Sequence, residues 1–247
     1  MTSSSLFLLV SRKHHQEIIS YGTIAHIYGP PKVGKTTFCA MVLLEMALHK
    51  KSTFMISTER PIEIRLESII NSNNRYDKQL LDFLYTRNCL TLEDLLQIIE
   101  NHLEDSLPKF DLLIIDSLTS GYRSHANPIA LTQLRELLAT LQMYAFHQKI
   151  AILFTNQVSS YQKTKHSFRP VASASTRNYS DRTFRMNKRQ NNSTELLLEA
   201  SDGQELHVFS PFTIKNLGID NFSYLFYVPK IIAKKTPKKS NNITHTS

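Results

Sequence analysis

The sequence predicts an α/β fold with a mostly parallel central sheet and antiparallel strands along its C-terminal edge. Three observations predict it. From residue 23 to residue 155, short and wholly apolar strand candidates alternate with runs of helical length, the pattern of a parallel sheet covered on both faces. A Gly/Pro-rich turn joins the first of these strands to the first helix. After residue 180 the alternation stops, and short strands separated by polar turns such as Asp202-Gly203 take over, as antiparallel additions at a sheet edge do.

Thr23 to Tyr28 (T-I-A-H-I-Y) is rich in β-branched and aromatic residues and reads as a strand. The apolar run Thr36 to Leu48 has helical length, and Phe54 to Ser57 is a second strand after the Lys50-Lys51-Ser52 turn. A helix over about Ile62 to Ile70 follows. Thr91 with Asp94 three residues on is a capping box opening an amphipathic helix from Leu92 to Leu103. Leu112 to Ile115 is a buried strand. Pro128 occupies a first-turn position ahead of a long helix reaching about His147, and Ile150 to Thr155 is another buried strand. Thr183 to Asn187, Glu195 to Ala200, Glu205 to Phe209 and Phe212 to Lys215 are the expected antiparallel additions, and Tyr224 to Val228 reads as a final strand.

Composition narrows the class. Of the 247 residues 41% are hydrophobic, yet no apolar run is long enough to span a membrane. Leu6 to Val10 is too short for a signal-peptide core. Cys39 and Cys89 stand far apart without C-x-x-C spacing, so they read as free thiols of a reducing interior rather than a metal cage or disulfide. His14 and His15 have no partner ligands nearby. The expected location is cytoplasmic, or nucleoid-associated if DNA is bound. The expected division is a lead-in over residues 1–20, one core over 21–229, and a basic tail, expected to be disordered, over 230–247. No internal repeat is found.

The net charge of +8 is unevenly placed. Residues 160 to 190 hold eight Lys/Arg against Asp181 alone, and residues 230 to 239 hold five lysines and no acid, leaving the rest of the chain at −4. Such asymmetry suggests a polyanion partner. Tyr161, Phe168 and Tyr179 beside the first cluster would suit base stacking; the same charges would also suit a solvated face. The lysine tail adds either diffuse attraction or solubility.

Gly29-Pro30-Pro31-Lys32-Val33-Gly34-Lys35-Thr36 matches G-x-x-x-x-G-K-[ST] in full, with a strand before it and a helix opening at its end. Thr37 continues the loop into the helix. In this pattern the glycines let backbone N–H groups converge on phosphates, and the helix N-terminus adds positive partial charge. Lys35 would reach the β- and γ-phosphates, and Thr36 would offer its hydroxyl to Mg²⁺. Leu112-Leu113-Ile114-Ile115-Asp116 is an apolar strand ending in an acid, the Walker B pattern, and Asp116 would hold Mg²⁺ through water. The expected cofactors are therefore ATP and Mg²⁺. Glu59 ends the second strand, where it could polarise a water or simply be a helix-start acid. Asn156 and Gln157 end a later strand as γ-phosphate sensors or as turn residues.

In this order, Gly29 to Thr36, Ser57-Thr58-Glu59, Asp116-Ser117-Leu118-Thr119 and Thr155-Asn156-Gln157-Val158 resemble the RecA/RadA recombinase superfamily. Ile27 to Pro31, Tyr179 to Met186 and Phe212 to Ile219 are most similar to its archaeal RadB-type paralogues, and the likeness runs over about residues 20 to 220. The resemblance implies a RecA-like P-loop NTPase core. It implies that Glu59 activates the attacking water and that Gln157 links the γ-phosphate to a second DNA-binding loop, about Ser159 to Ser175. The first loop would follow Asp116, about Gly121 to Asn127. Arg123, Lys163, Lys165 and Arg169 are the expected DNA contacts.

This sequence also departs from that pattern. It begins almost at the ATPase core, so the helix-hairpin-helix domain of full recombinases is not expected. Ser57 stands where Asp is usual, Lys32 where a small residue is usual, and the expected second loop has no glycine. Ahead of residue 20 no convincing polymerisation motif is found. Nucleotide binding survives these departures; autonomous filament formation and strand exchange do not follow. The reading is an ATP-binding, DNA-dependent ATPase of the recombinase-paralogue type in DNA repair and homologous recombination. Single-stranded DNA is the expected partner, with a full-length recombinase or further copies of the chain as protein partners. The alternatives are a mediator module that binds ATP structurally, and a KaiC-like signalling ATPase without DNA contact.

Overall fold

The structure is a computed structural model that describes residues 7–13, 15–104, 110–159, 168–200 and 203–229. Along the chain run β1 (Phe7–Ser11), β2 (Glu17–Ser20), β3 (Ile24–Tyr28), α1 (Lys35–Leu48), β4 (Thr53–Ser57), α2 (Glu63–Ser72), a 3-10 turn (Lys78–Phe83), β5 (Leu84–Asn88) and α3 (Leu92–Glu104). Then come β6 (Leu112–Asp116), α4 (Ser120–Ser124), α5 (Pro128–Gln148), β7 (Ala151–Asn156), β8 (Val158–Ser159), β9 (Arg169–Pro170) and α6 (Ser173–Asn178). The chain continues through β10 (Arg182–Lys188), β11 (Thr194–Glu199), β12 (Glu205–Val208), β13 (Ile214–Lys215), β14 (Gly218–Ile219), α7 (Phe222–Leu225) and β15 (Phe226–Tyr227).

The central sheet has eight strands in the order β12-β11-β10-β3-β7-β6-β4-β5. From β5 to β10 every pairing is parallel; β11 and β12 add antiparallel. The segment around Thr183 to Asn187 therefore differs from expectation, since β10 joins β3 in parallel and the antiparallel edge begins one strand later. Connection length explains the difference: α6 carries the chain back across the face before β10 starts, which a tight hairpin cannot do.

Strand alternation sorts the side chains into two cores. Ala25, Ile27, Met55, Leu112, Ile114 and Leu153 face a cluster built on α1 and α2. Ile24, Phe54, Ile56, Leu113, Ile115 and Phe154 face one built on α3 and α5. Both faces are thus covered, which is why the strands are apolar throughout. α1 is buried from Thr37 to Ala47, as a helix apolar all round must be. The Thr91 cap is present, its Oγ1 accepting from Asp94 N at 3.0 Å. Asn127 caps α5, accepting from Ala130 N at 2.8 Å, with Pro128 in the first turn.

The segment expected as a lead-in contributes structure. β1 and β2 form a hairpin, β15 pairs with β1, and Leu8, Leu9, Ile18 and Ile19 belong to the α1-side core. Of the expected final strand, the first two residues close the α7 turn and Phe226–Tyr227 form β15. Phe212 makes a single bridge to Thr194, while Ile214–Lys215 pair with Gly218–Ile219 in a small separate ladder. Residues 230–247, the expected tail, lie outside the described residues.

Candidate functional site

The site is assembled at the C-terminal ends of β3, β7, β6 and β4, where an open α/β sheet presents its loops. Registers bring the ends level: Tyr28 pairs with Asn156, and Ser57 with Asp116. The loop from Gly29 leaves β3 and enters α1 through Gly34, whose φ of 107° is left-handed. A Cβ at Gly34 would lie 1.9 Å from Ile214 Cδ1, and one at Gly29 would lie 2.5 Å from Met186 O. Both positions therefore require glycine. Arg65 on α2 fastens the same corner. Its Nε donates to Thr37 Oγ1 at 3.2 Å, and its Nη atoms donate to the carbonyls of Lys215 and Asn216 at 2.8 and 3.3 Å.

Lys35 curls back over its loop, with Nζ donating to Gly29 O at 2.8 Å and Pro30 O at 3.1 Å. Burial holds its pKa below the ordinary lysine value; the carboxylates of Asp116 and Glu59 pull it upward, and the Arg123 guanidinium adds to the lowering. Thr36 Oγ1 donates to Asp116 Oδ2 at 2.7 Å, and Thr155 Oγ1 donates to Asp116 Oδ1. Burial raises the Asp116 pKa, while these two hydrogen bonds and Lys35 work against the rise.

A second carboxylate collects the remaining strand ends. Glu59 Oε1 accepts from Gln157 Nε2 at 2.5 Å and from Ser117 Oγ at 3.1 Å. Thr58 locks Glu59 to the end of β6: its N donates to Asp116 O at 2.9 Å and its Oγ1 to Ser117 O at 2.7 Å. Asn156 accepts from Thr119 Oγ1 and donates to Val171 O at 2.9 Å, so the end of β7 is tied to both flanking loops. Buried Glu199 joins the lead-in of the phosphate loop to α6, accepting from Tyr28 Oη at 2.8 Å and from Arg177 at 2.7 Å.

The donor set fits a hard divalent cation with a phosphate. Thr36 and Asp116 bring two oxygens to within 2.7 Å of each other beside the loop. Among the described residues no three His, Cys, Asp or Glu side chains gather as a cage. Thr36 and Asp116, the latter through water, would hold a cation such as Mg²⁺ here, with phosphate oxygens and water supplying further oxygen donors.

The family model for Rad51 matches residues 14–176, covering every residue of this arrangement except Arg177, Met186, Glu199 and the Ile214 to Asn216 corner. The chain belongs to the Rad51 family. It is similar to the DNA repair and recombination protein RadB of Pyrococcus abyssi, at 28% identity over 62% of this chain and 66% of that protein. RadB of Methanocaldococcus jannaschii is 30% identical over 56% of this chain and 66% of that protein. RadB of Methanococcus maripaludis strain C7 is 32% identical over 55% and 64%. The chain spans just under two thirds of the length of these relatives.

In this Rad51-family chain the sequence-predicted residues divide in two. Gly29 to Thr37, Glu59, Asp116 and Gln157 come together. The expected DNA contacts do not form one described patch: Arg123 is exposed on α4, Arg169 is exposed on β9 and pairs across to β8, and Lys163 and Lys165 lie outside the described residues. The charge counted over residues 160 to 190 is also smaller in the fold. Arg177 pairs with Glu199, Arg182 with Glu17, Arg185 with Glu199 and Glu205, and Arg189 with Glu195. Sequence reasoning missed Arg65 and Thr155 as partners of the site. Thr155 was within reach, one residue before Asn156 on a strand end; nothing in the pattern around Arg65 announces its target.

Proposed function

We propose that this chain is an ATP-binding, DNA-dependent ATPase of the recombinase-paralogue type, acting in DNA repair and homologous recombination. The observation that carries the reading is the Thr36–Asp116 hydrogen bond, which closes the phosphate loop onto the end of β6. In this reading the loop's N–H groups and Lys35 hold the phosphates of ATP. Thr36 and Asp116 would hold Mg²⁺, whose charge offsets that of the β- and γ-phosphates. Glu59 takes a proton from the attacking water, and Gln157 and Ser117 fix the orientation of its carboxylate. Gln157 lies between β7 and the segment that ends at β9, so a change at Glu59 passes to that segment through one side chain. Single-stranded DNA held there is the proposed stimulus. The deciding experiment is ATP turnover with and without single-stranded DNA; turnover absent in both conditions removes the enzymatic reading.

One observation favours a second reading, a mediator that binds ATP structurally and assists a full recombinase. Four arginines of the basic segment are satisfied by internal carboxylates, leaving less charge for DNA than the sequence count. Such a module would keep nucleotide affinity when Glu59 is replaced and would show no turnover to lose.

A further inference from the structure

The phosphate-loop pattern leaves Pro30, Pro31, Lys32 and Val33 free to vary, and Lys32 alone among them is charged. Its backbone lies in the left-handed region at φ 62°, where a Cβ is disfavoured relative to glycine. Lys50 and Lys149 share that conformation, but each sits just past a helix, where a left-handed residue ends the helix. Lys32 ends no helix. Its flank is fixed: Val33 is 2% exposed, and Val33 O accepts from Thr194 Oγ1 at 3.4 Å. The Lys32 side chain is exposed, and among the described residues it has no hydrogen bond or ion pair.

Charge gives this cation a role. The loop itself supplies one buried cation, Lys35, which feels Asp116, Glu59 and Arg123, at the point where a nucleotide would bring more negative charge. We propose that Lys32 is a second phosphate-binding lysine, its ammonium donating to a terminal phosphate oxygen of a nucleoside triphosphate held in its own loop. The proposal rests on the nucleotide-binding reading and sharpens it. A loop carrying two lysines should prefer triphosphate over diphosphate, because the added contact is made to the terminal group.

Calorimetric titration with Mg-ATP and with Mg-ADP tests this on the full chain and on Lys32→Gly, Lys32→Ala, Lys32→Arg and Lys35→Ala. Lys32→Gly removes the charge and relieves the backbone together, so it folds at least as well as the parent. Its ATP affinity should fall about 10-fold, the size of a charged hydrogen bond, while ADP affinity changes less than about 2-fold. Lys32→Arg should stay within about 3-fold of the parent for both nucleotides. Parental ATP affinity in Lys32→Gly would overturn the proposal, as would a loss in Lys32→Ala that Lys32→Gly does not share, since that pattern reports backbone strain. An equal loss for ATP and ADP also overturns it. If the parent binds neither nucleotide, the nucleotide reading itself fails; if Lys35→Ala abolishes binding while Lys32→Gly keeps it, only the role of Lys32 fails.

Discussion

Gln157 donates its side-chain amide to Glu59 Oε1 at 2.5 Å, joining the ends of β7 and β4, which β6 separates in the sheet. Ser117, from the end of β6, donates to the same oxygen at 3.1 Å. Three strand ends thus converge on one carboxylate, leaving Glu59 Oε2 to face other groups. A helix-start acid needs no such set of donors, so the arrangement favours a role in chemistry over a local capping role.

Replacing Glu59 by Gln keeps the shape and removes the base. ATP affinity should stay within about 3-fold, while turnover should fall by roughly 10²- to 10⁴-fold, the usual contribution of general base catalysis. Single-turnover hydrolysis measured beside nucleotide affinity separates the two quantities. A variant as fast as the parent would return Glu59 to the status of a surface acid.

Lys35→Ala removes the charge that the loop wraps, since Lys35 Nζ is held by the Gly29 and Pro30 carbonyls. Tight Mg-ATP binding should be lost, with affinity falling at least about 10-fold. Chelation of Mg²⁺ should weaken ATP binding by the parent and leave Asp116→Asn nearly indifferent, because that variant lacks the carboxylate that meets Thr36. Unchanged affinity in folded Lys35→Ala would remove the phosphate-loop assignment.

What the sequence made legible was local. The buried strands could be read because the four neighbours β3, β7, β6 and β4 are covered on both faces, and the phosphate loop could be read because its spacing is set by one turn of backbone. What it hid was long-range pairing. β1 meets β15 more than 200 residues away, so neither Val10 nor Tyr227 signals the other. The pairing of the basic segment was hidden for the same reason: Glu17, Glu195, Glu199 and Glu205 neutralise its arginines from outside residues 160 to 190. Arg65 reaches hairpin carbonyls 150 residues on, and backbone acceptors leave no trace in a side-chain pattern.

His26 should make the fold acid-sensitive. It is fully buried in β3, stacked on Phe154 at 4.6 Å, and neither ring nitrogen has a hydrogen-bond partner. Burial, with a smaller contribution from Arg177, pushes its pKa down to about 3 from 6.5. Between those values the unfolded chain takes up a proton that the folded chain refuses, so stability falls as pH drops through the window. The slope reaches about 1.4 kcal/mol per pH unit. His26→Phe preserves the stack and should lose this slope, gaining up to about 1 kcal/mol at neutral pH by removing unpaired polar atoms. Denaturant unfolding from pH 7 to pH 4 reads both effects; parallel curves for the two proteins would show that His26 finds a proton or a partner in the fold.

DNA contact is tested by comparing changes at Lys163, Lys165 and Arg169 with changes at arginines that pair with carboxylates elsewhere in the fold. If the segment following Gln157 tracks a single strand, each phosphate it neutralises releases counterions, and log affinity falls with log salt by roughly 0.7 per contact. Converting Lys163, Lys165 and Arg169 together to Ala should weaken binding across all sequences and flatten the slope by about two units if all three touch phosphate. Arg182→Ala and Arg189→Ala are the internal comparison, since these side chains already pair with Glu17 and Glu195. They should leave the slope near its parental value and cost stability instead, by about 1 kcal/mol or less for partly exposed pairs. Deleting the tail after Ile232 should cost less affinity than the triple change, because its lysines stand far in sequence from the Gln157 strand end. A salt titration of single-stranded DNA binding on this set decides the matter. An unaltered slope in the triple variant, with the loss confined to the tail deletion, moves the contact to the tail. No binding by the parent at low salt leaves the segment as a solvated face and hands the function to the mediator reading.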